Sequence, residues 1–305
     1  MFRAYAVDLN DIRPLIKDES ATSIYDEVKT NKIKATLKNI LTAESPFLDS
    51  EKICNLFFPA QNCPVFLSHS GQNKEEVEQF AQWLKRHFEI NAFVDSDLWG
   101  CIKDLQKSLD HDFCRIDPET HEHIDKNTKQ NGKRTTYSYS DRNTSTAHVH
   151  MMLCHALTQM IDSAECFIFL KSSESYAIEN GKDGTFSPWI FHELATVDTI
   201  RTNRNRETLP TSIALESYSR IYESVAGMPK VFYPIALKRA NLLKMADFNR
   251  WCSQDFEPHD NSRLQAILEY AYPNYKKTAK PTIEPKEKWE KALNWLYENC
   301  HSKRG

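Results

Sequence analysis

The sequence predicts an α/β fold in which a parallel sheet is covered by helices on both faces. Short apolar runs, each of strand length, alternate with amphipathic helical patterns. Parallel strands joined by helices are buried on both faces, which accounts for the continuous apolar runs. Three of the runs end in small polar residues, within SHSG, DSD and KSSES. Because open parallel sheets bind ligands beyond the carboxyl ends of their strands, these residues predict a ligand site at that edge.

The strands are predicted from apolar runs that polar residues interrupt. FRAYAVDL at the start of the chain is a possible strand, and VFLSHS at 65–70 is a short buried one. Further strands are expected at 90–94, 166–170 and 231–237, within INAFVDSDLW, ECFIFLKSS and KVFYPIALK.

The helices are predicted from apolar residues at a spacing of three and four. The segment 74–88 has this spacing, with Val77, Phe80, Leu84 and Phe88 among its apolar positions. VHMMLCHALTQMIDSA predicts another helix, and WEKALNWLYEN an amphipathic one around 289–297. Polar helical stretches are expected around 24–41 and 50–57.

Residues 99–146 are expected to form a long irregular insertion. The segment contains the polar and basic stretch KNTKQNGKRTTYSYSDRNTSTAH. Acidic residues flank the basic part of this stretch, and the only aromatic residues within the stretch are Tyr137 and Tyr139. A solvated loop is therefore favoured over a nucleic-acid-binding surface.

The composition is that of an ordinary soluble chain. Hydrophobic residues make up 40% of the 305 residues, the net charge is −3, and no apolar run reaches the length of a membrane helix. The eight cysteines contain no CxxC pair, and several lie in apolar surroundings, which indicates reduced buried thiols. We therefore expect a cytoplasmic protein that binds neither membranes nor nucleic acids.

Several common active-site motifs are absent. With only seven glycines, the chain has no GxxxxGK[ST], GxGxxG or GxSxG sequence. The pair His192–Glu193 resembles half of a zinc-protease motif, but the second histidine is missing from HELATV. No metal site is predicted.

The segment SPWIFHEL places a tryptophan and a glutamate at the start of a helix. Ser187 is a suitable N-cap and Pro188 a suitable first helical residue, so a helix is expected to run to about residue 201. Trp189 and Glu193 are four residues apart and so share one face. From spacing alone, they could be a packed tryptophan beside a solvated glutamate, or one wall of an active site.

A glutamate beside a tryptophan is sufficient for one particular reaction. Cleavage of the nicotinamide–ribose bond of NAD+ expels a neutral leaving group and needs no general acid, whereas ordinary glycosides require two carboxylates. One carboxylate could stabilise the ribosyl cation while the aromatic ring packs against the ribose or the base. NAD+ would then be a substrate, with no cofactor required.

Four motifs in order resemble those of a Toll/interleukin-1 receptor (TIR) domain. They are VFLSHSGQNKEEVEQFAQWL, INAFVDSDLW, CFIFLKSSES and SPWIFHEL. More narrowly, the chain resembles bacterial TIR-like proteins of anti-phage defence, including those of Thoeris-type systems. The resemblance implies a flavodoxin-like TIR fold at 63–240, with the insertion at about 99–146. Residues 1–62 and 241–305 would be mainly helical extensions.

The resemblance also implies roles for particular residues. Glu193 would be the catalytic carboxylate. NAD+ would be bound by residues at the strand ends and on the same helix as the glutamate, namely Phe66, Ser68, His69, Ser70, Asp95, Asp97, Trp99 and Trp189. Self-association through the TIR domain is expected, and a downstream effector could sense an ADP-ribose-derived product.

Two other functions stay open at this point. Many TIR domains are non-catalytic adaptors that act by homotypic interaction. A nucleoside deoxyribosyltransferase-like enzyme would also use a glutamate at an N-glycosidic bond, although the SHS strand end fits that class less well.

Overall fold

The computed structural model describes most of the chain. The described residues are 3–21, 31–33, 35–36, 39–40, 49–57, 63–97, 99–124, 135–200, 231–235, 237, 240–256 and 285–300. Part of the helix expected at 24–41 lies outside these ranges, and the described residues 31–33, 35–36 and 39–40 are helical.

A five-stranded parallel sheet forms the centre of the protein. Its strands are β1 (Arg3–Asp8), β2 (Val65–Ser68), β3 (Ala92–Val94), β6 (Cys166–Lys171) and β10 (Ala240–Leu243). They lie side by side in the order β10-β1-β6-β2-β3, and every neighbouring pair is parallel. The remaining described strands belong to two small antiparallel sheets, β4 (Arg115–Ile116) with β5 (Thr136–Tyr137), and β7 (Ala177–Glu179) with β8 (Lys182–Thr185) and β9 (Tyr233–Pro234).

Eight longer helices surround the sheet in the described ranges. They are α1 (Leu9–Ile16), α2 (Ser50–Phe57), α3 (Lys74–Phe88), α4 (Trp99–Phe113), α5 (Tyr139–Ser163), α6 (Pro188–Thr199), α7 (Met245–Cys252) and α8 (Pro285–Asn299).

Two hydrophobic cores cover the two faces of the sheet. Alternate residues of each strand point to opposite faces, so Phe66 lies on one face and Leu67 on the other. Helices α2, α4, α5 and α6 pack on the face that contains Phe66, which we call the Phe66 face. Helices α1, α3, α7 and α8 pack on the Leu67 face. The predicted α/β fold with helices on both faces is therefore confirmed, and the layout is compatible with a flavodoxin-like fold.

The sheet differs from a flavodoxin-like sheet in the place in the chain of one strand, β1. A flavodoxin-like sheet has the order 2-1-3-4-5. Here β3, β2 and β6 fill the first three places, the N-terminal strand β1 fills the fourth, and β10 fills the last. The chain turns from β2 to β3 on one side and then crosses to β6 on the other. The topological switch point therefore lies between the carboxyl ends of β2 and β6.

The segments expected to be terminal extensions are part of the fold. The segment 1–62 contributes β1, an interior strand, and the segment 241–305 contributes most of β10 with α7 and α8. In the Leu67 core, Phe88 of α3 stacks on Trp251 of α7, with ring centroids 4.0 Å apart. The domain boundaries predicted at residues 62/63 and 240/241 therefore cut through a single sheet. The sequence did not reveal this, because short strands of ordinary composition do not indicate which strands they pair with.

Two other segments differ from their predicted structure. In its described parts, 99–124 and 135–146, the segment 99–146 is regular, because it contains α4, two short strands and the first residues of α5. The strand expected at 231–237 is the two-residue β9, which pairs antiparallel with β8 and does not belong to the parallel sheet.

Features of the described residues bear on the predicted cellular context. None of the described helices is both long enough and apolar enough to cross a membrane. The described cysteines have free thiols, and all except Cys252 are buried, in agreement with the interpretation of reduced buried thiols.

Candidate functional site

The ends of β2 and β3 bring Ser68 and Asp95 to the same place. Phe66 pairs with Phe93 in the register of the two strands, and both side chains lie in the Phe66 core. Two residues further along each strand, alternation returns Ser68 and Asp95 to that same face. Both residues are buried at the carboxyl edge of the sheet.

Helix α6 brings Glu193 to this edge. Ser187 caps the helix as predicted, with its side chain accepting a hydrogen bond from the Ile190 amide at 3.3 Å, and Pro188 is the first helical residue. Ile190, Leu194 and Val197 anchor the helix on the Phe66 face. Glu193 adjoins this apolar stripe, and it is therefore drawn into the interior with only 1% of its surface exposed.

Glu193 has one hydrogen bond and no compensating cation among the described residues. The Ser68 hydroxyl donates to Oε2 of Glu193 at 2.5 Å, whereas Oε1 is buried without a hydrogen-bond partner in the described part of the chain. Burial, together with the negative charge of Asp95, raises the pKa of Glu193 well above its ordinary value, and the Ser68 hydrogen bond opposes this. Burial therefore favours the neutral form of the carboxyl.

His69 contacts Asp95 beside this pair. Nδ1 of His69 lies 3.1 Å from the Leu67 carbonyl oxygen and 3.3 Å from Oδ1 of Asp95. Nε2 of His69 is buried and has no hydrogen-bond partner among the described residues. Ser68, His69, Asp95 and Glu193 thus form one polar cluster, which we call the Glu193 cluster.

The loop after β6 is held by a serine and asparagine network. Ser172 donates from its hydroxyl to Oδ1 of Asn73 at 2.7 Å, and its amide donates to the Ser175 hydroxyl at 2.8 Å. Ser175 in turn donates to the Leu170 carbonyl at 3.0 Å. The serines in KSSES were expected near the site, but nothing in the sequence indicated Asn73 as their partner.

The network continues to helix α1. The Asn73 amide group donates to Oε2 of Glu76 at 3.2 Å, and Arg13 donates from Nε to Oε1 of Glu76 at 2.6 Å. The turns that follow β1, β2 and β6 are therefore tied together at the carboxyl edge of the sheet. This network fixes one side of the switch point.

Two of the residues predicted to face NAD+ have other positions. Phe66 is fully buried and stacks on Phe167 with ring centroids 5.6 Å apart, so its side chain belongs to the core. Ser70 is half-buried and caps the turn before α3 by accepting a hydrogen bond from the Gln72 amide.

Trp189 lies one helical turn before Glu193. It is partly buried, and its ring packs edge-to-face on His150 of α5, with centroids 5.5 Å apart. Contact between Trp189 and a ligand stays a prediction. Asp97 and Trp99 follow β3 directly, but their side chains are outside the described part of the protein.

His192 has a structural position. It is buried, and its Nε2 donates to the Cys154 carbonyl of α5 at 3.0 Å. Burial lowers the pKa of His192 below its ordinary value, in opposition to this hydrogen bond. The imidazole therefore stays neutral and joins α6 to α5.

The fold and the cluster define a parallel α/β protein with a buried carboxyl site at the carboxyl edge of its sheet, beside the topological switch point. Comparison with protein-family models gave no match, and neither the curated proteins nor the solved structures contained a significantly similar protein.

Proposed function

We propose that this protein cleaves the nicotinamide–ribose bond of NAD+ with Glu193 as its catalytic carboxylate. The observation that carries the proposal is the buried carboxyl of Glu193, which has one oxygen on Ser68 and the other without a partner among the described residues. The four ordered motifs that resemble TIR domains support the same assignment.

The burial of Glu193 is better explained by a catalytic role than by a contribution to the stability of the fold. Burying a carboxyl without a cation costs free energy, and structural carboxyls are ordinarily paired or fully hydrogen-bonded. Glu193 has neither arrangement in the described residues. Titratable groups with strongly perturbed environments concentrate at functional sites, especially at the carboxyl edge of a parallel sheet.

The reaction needs little equipment from the protein. When the bond between C1′ of the ribose and the nicotinamide nitrogen breaks, both bonding electrons go to the nitrogen and the nicotinamide leaves uncharged. The positive charge moves to the ribosyl cation, which the ionised Glu193 stabilises electrostatically. Water or another nucleophile then attacks C1′, and an attacking water loses its proton to solvent.

The other members of the cluster support Glu193 in this proposal. Ser68 would orient the carboxyl through Oε2, and Oε1, which has no hydrogen-bond partner among the described residues, would be available to the ribose. His69 and Asp95 would border the nicotinamide end of bound NAD+. Ser172 would lie at the end of β6, the strand next to β2. The nucleophile that captures the ribosyl cation would then decide whether the outcome is depletion of NAD+ or release of an ADP-ribose-derived signal.

Product analysis tests the proposal. We would incubate NAD+ with the purified protein at high concentration, and with lysate from infected cells, and identify the products by mass spectrometry. Wild type should release nicotinamide together with ADP-ribose, a cyclic isomer or a conjugate. Glu193→Gln should release none, whereas Glu51→Gln, at an exposed position of α2, should behave as wild type.

The outcomes distinguish the competing functions. Turnover of nucleosides without turnover of NAD+ would favour a deoxyribosyltransferase-like enzyme. Self-association without turnover of either would favour an adaptor and would refute the enzyme proposal.

A further inference from the structure

Several buried polar atoms at the candidate site have no hydrogen-bond partner among the described residues. Three of them are Nε2 of His69 after β2, the Ser96 hydroxyl after β3, and Oε1 of Glu193 on α6. Buried polar atoms are ordinarily hydrogen-bonded, and leaving one unpaired costs free energy. Unpaired atoms from three elements at this edge of the sheet therefore indicate contact with a bound molecule.

The contacts of His69 determine which ring nitrogen carries a hydrogen. The side chain is 1% exposed, and its Nδ1 lies 3.1 Å from the Leu67 carbonyl oxygen and 3.3 Å from Oδ1 of Asp95. A carbonyl oxygen can only accept a hydrogen bond, so Nδ1 has to be the donor. In the neutral imidazole, a hydrogen on Nδ1 leaves Nε2 unprotonated, and Nε2 can then only accept.

The surroundings of Nε2 favour this neutral form. A second hydrogen, on Nε2, would create a buried charged donor with no acceptor among the described residues. An unpaired charged group costs more free energy in the interior than an unpaired neutral acceptor does. Nε2 is therefore a buried acceptor that a donor group of a ligand would satisfy.

We propose that His69 is a specificity-determining residue whose Nε2 accepts a hydrogen bond from the carboxamide N–H of the nicotinamide group. The site would then select the amide over pyridine derivatives that have no N–H donor at this position. The identity of the ligand rests on the proposed function, whereas the unprotonated Nε2 is a property of the ligand-free protein.

The choice of the carboxamide follows from the groups attached to the reacting ribose of NAD+. In the proposed function this ribose lies at Oε1 of Glu193, and His69 directly follows Ser68, the residue that holds Glu193. The ribose is joined to nicotinamide on one side and to a phosphate on the other. A phosphate at neutral pH has acceptor oxygens, whereas the carboxamide has two N–H donors. Of these two groups, the carboxamide is the one that offers the donor that Nε2 requires.

The tautomer of His69 is tested by 15N NMR spectroscopy of the ligand-free wild type near neutral pH. An imidazole nitrogen without a hydrogen has a 15N chemical shift well separated from that of an N–H nitrogen. His69 should have its hydrogen on Nδ1 and an unprotonated Nε2. A hydrogen on Nε2, in either the neutral or the charged ring, would overturn the proposal.

The contact with the carboxamide is tested with two small probes that cannot be cleaved, nicotinamide and 3-acetylpyridine. Both are uncharged and similar in shape, but a methyl group replaces the NH2 group in 3-acetylpyridine. Nicotinamide should bind to wild type about three- to tenfold more tightly, as expected from the loss of one hydrogen bond. Equal affinity for the two probes, or no measurable binding of nicotinamide, would overturn the proposal.

Two substitutions separate the two sides of the His69 ring. His69→Asn places an amide near the position of Nδ1, so it can keep the contact with the Leu67 carbonyl, but it has no acceptor at the position of Nε2. It should lose the preference for nicotinamide. His69→Gln places an amide oxygen near the position of Nε2 and should restore part of the preference. His111→Asn, at a side chain that is 54% exposed, should bind both probes as wild type does.

Persistence of the full preference in His69→Asn would contradict the assigned contact. If that variant does not fold, the tautomer and the probe affinities of wild type still decide the matter.

These results are separable from the catalytic proposal. Cleavage of NAD+ together with equal binding of the two probes would refute the carboxamide contact and leave the catalytic role of Glu193 standing. An unprotonated Nε2 and selective binding of nicotinamide without cleavage of NAD+ would support the inference and refute the proposed function.

Discussion

The Ser68 hydroxyl donates a hydrogen bond of 2.5 Å to the carboxyl of Glu193, and it joins the end of β2 to the second turn of α6. This contact connects residues 125 positions apart in the chain. It leaves one carboxyl oxygen of Glu193 free of hydrogen bonds within the described residues.

Ser68→Ala should lower the activity and move its pH dependence. The lost hydrogen bond stabilises the ionised carboxyl, so without it the pKa of Glu193 rises further and the acid limb of kcat/KM moves to higher pH. We expect kcat/KM near neutral pH to fall about tenfold, from the strength of a hydrogen bond to a charged group. Rates of nicotinamide release across pH provide the measurement.

The matched control for this change is Ser163→Ala. Ser163 donates to the Met160 carbonyl at the end of α5, on the opposite edge of the sheet. Ser163→Ala should leave the pH dependence of kcat/KM unchanged. An equal shift in both variants would mean that Ser68 does not act through Glu193.

Glu193→Gln should stabilise the protein at neutral pH. The pKa of Glu193 is raised in the folded protein, so the folded state binds the proton more tightly than the unfolded state. The glutamate therefore costs stability as the pH rises above its ordinary pKa of 4.5, and the cost stops growing above the folded pKa. Removing the charge should raise the free energy of unfolding by about 1–3 kcal/mol at neutral pH.

Denaturation at two pH values measures this effect. The difference between wild type and Glu193→Gln should shrink below about pH 4.5, where both states of the wild type are protonated. A glutamine variant that is less stable than wild type at neutral pH would argue that Glu193 is a structural residue.

His192→Ala should weaken the contact between α6 and α5. The variant loses the hydrogen bond to the Cys154 carbonyl and leaves a cavity. Its free energy of unfolding should therefore be lower by about 2–3 kcal/mol. Because burial lowers the pKa of His192 in the folded state, wild type loses stability as the pH falls below the ordinary value of 6.5. That part of the acid sensitivity should disappear in the variant.

Thermal unfolding between neutral and mildly acidic pH tests the role of His192. His111→Ala is the control, because this side chain is 54% exposed on α4. If the two variants have the same stability at each pH, the assigned role of His192 is wrong.

Tyr5→Ala tests whether the N-terminal strand belongs to the domain. Tyr5 is fully buried in the Leu67 core, and its hydroxyl donates to the Leu296 carbonyl of α8 at 3.3 Å. Tyr5→Ala should lower the free energy of unfolding by about 3–5 kcal/mol, as for other large buried aromatic residues. The exposed Tyr139 offers a matched control, and Tyr139→Ala should cost less than about 0.5 kcal/mol. Similar, small effects at both sites would mean that β1 is dispensable.

The local parts of this fold could be predicted from the sequence, and the long-range parts could not. The spacing around Val77 and Phe80 indicated α3, and Ser187 with Pro188 indicated the start of α6, because both signals lie within one helix. The pairing of β1 with β6 and β10 depends on residues far apart in the chain, and apolar composition alone does not select partners.

The candidate site was predictable to a similar extent. Small polar residues after strands indicated its edge, and spacing placed Glu193 beside an apolar stripe. Its depth of burial and the hydrogen bond from Ser68 depend on how α6 lies across the sheet, which spacing does not reveal. Spacing also left open the solvated glutamate that the structure excludes.

The catalytic role of Glu193 is tested most directly by the rate of nicotinamide release from NAD+ by wild type and by Glu193→Gln at equal, high protein concentration. Wild type should release nicotinamide and the variant none above background, although the variant should be at least as stable near neutral pH. Equal rates in the two proteins, or intact NAD+ with both, would contradict the assignment of Glu193 as the catalytic carboxylate.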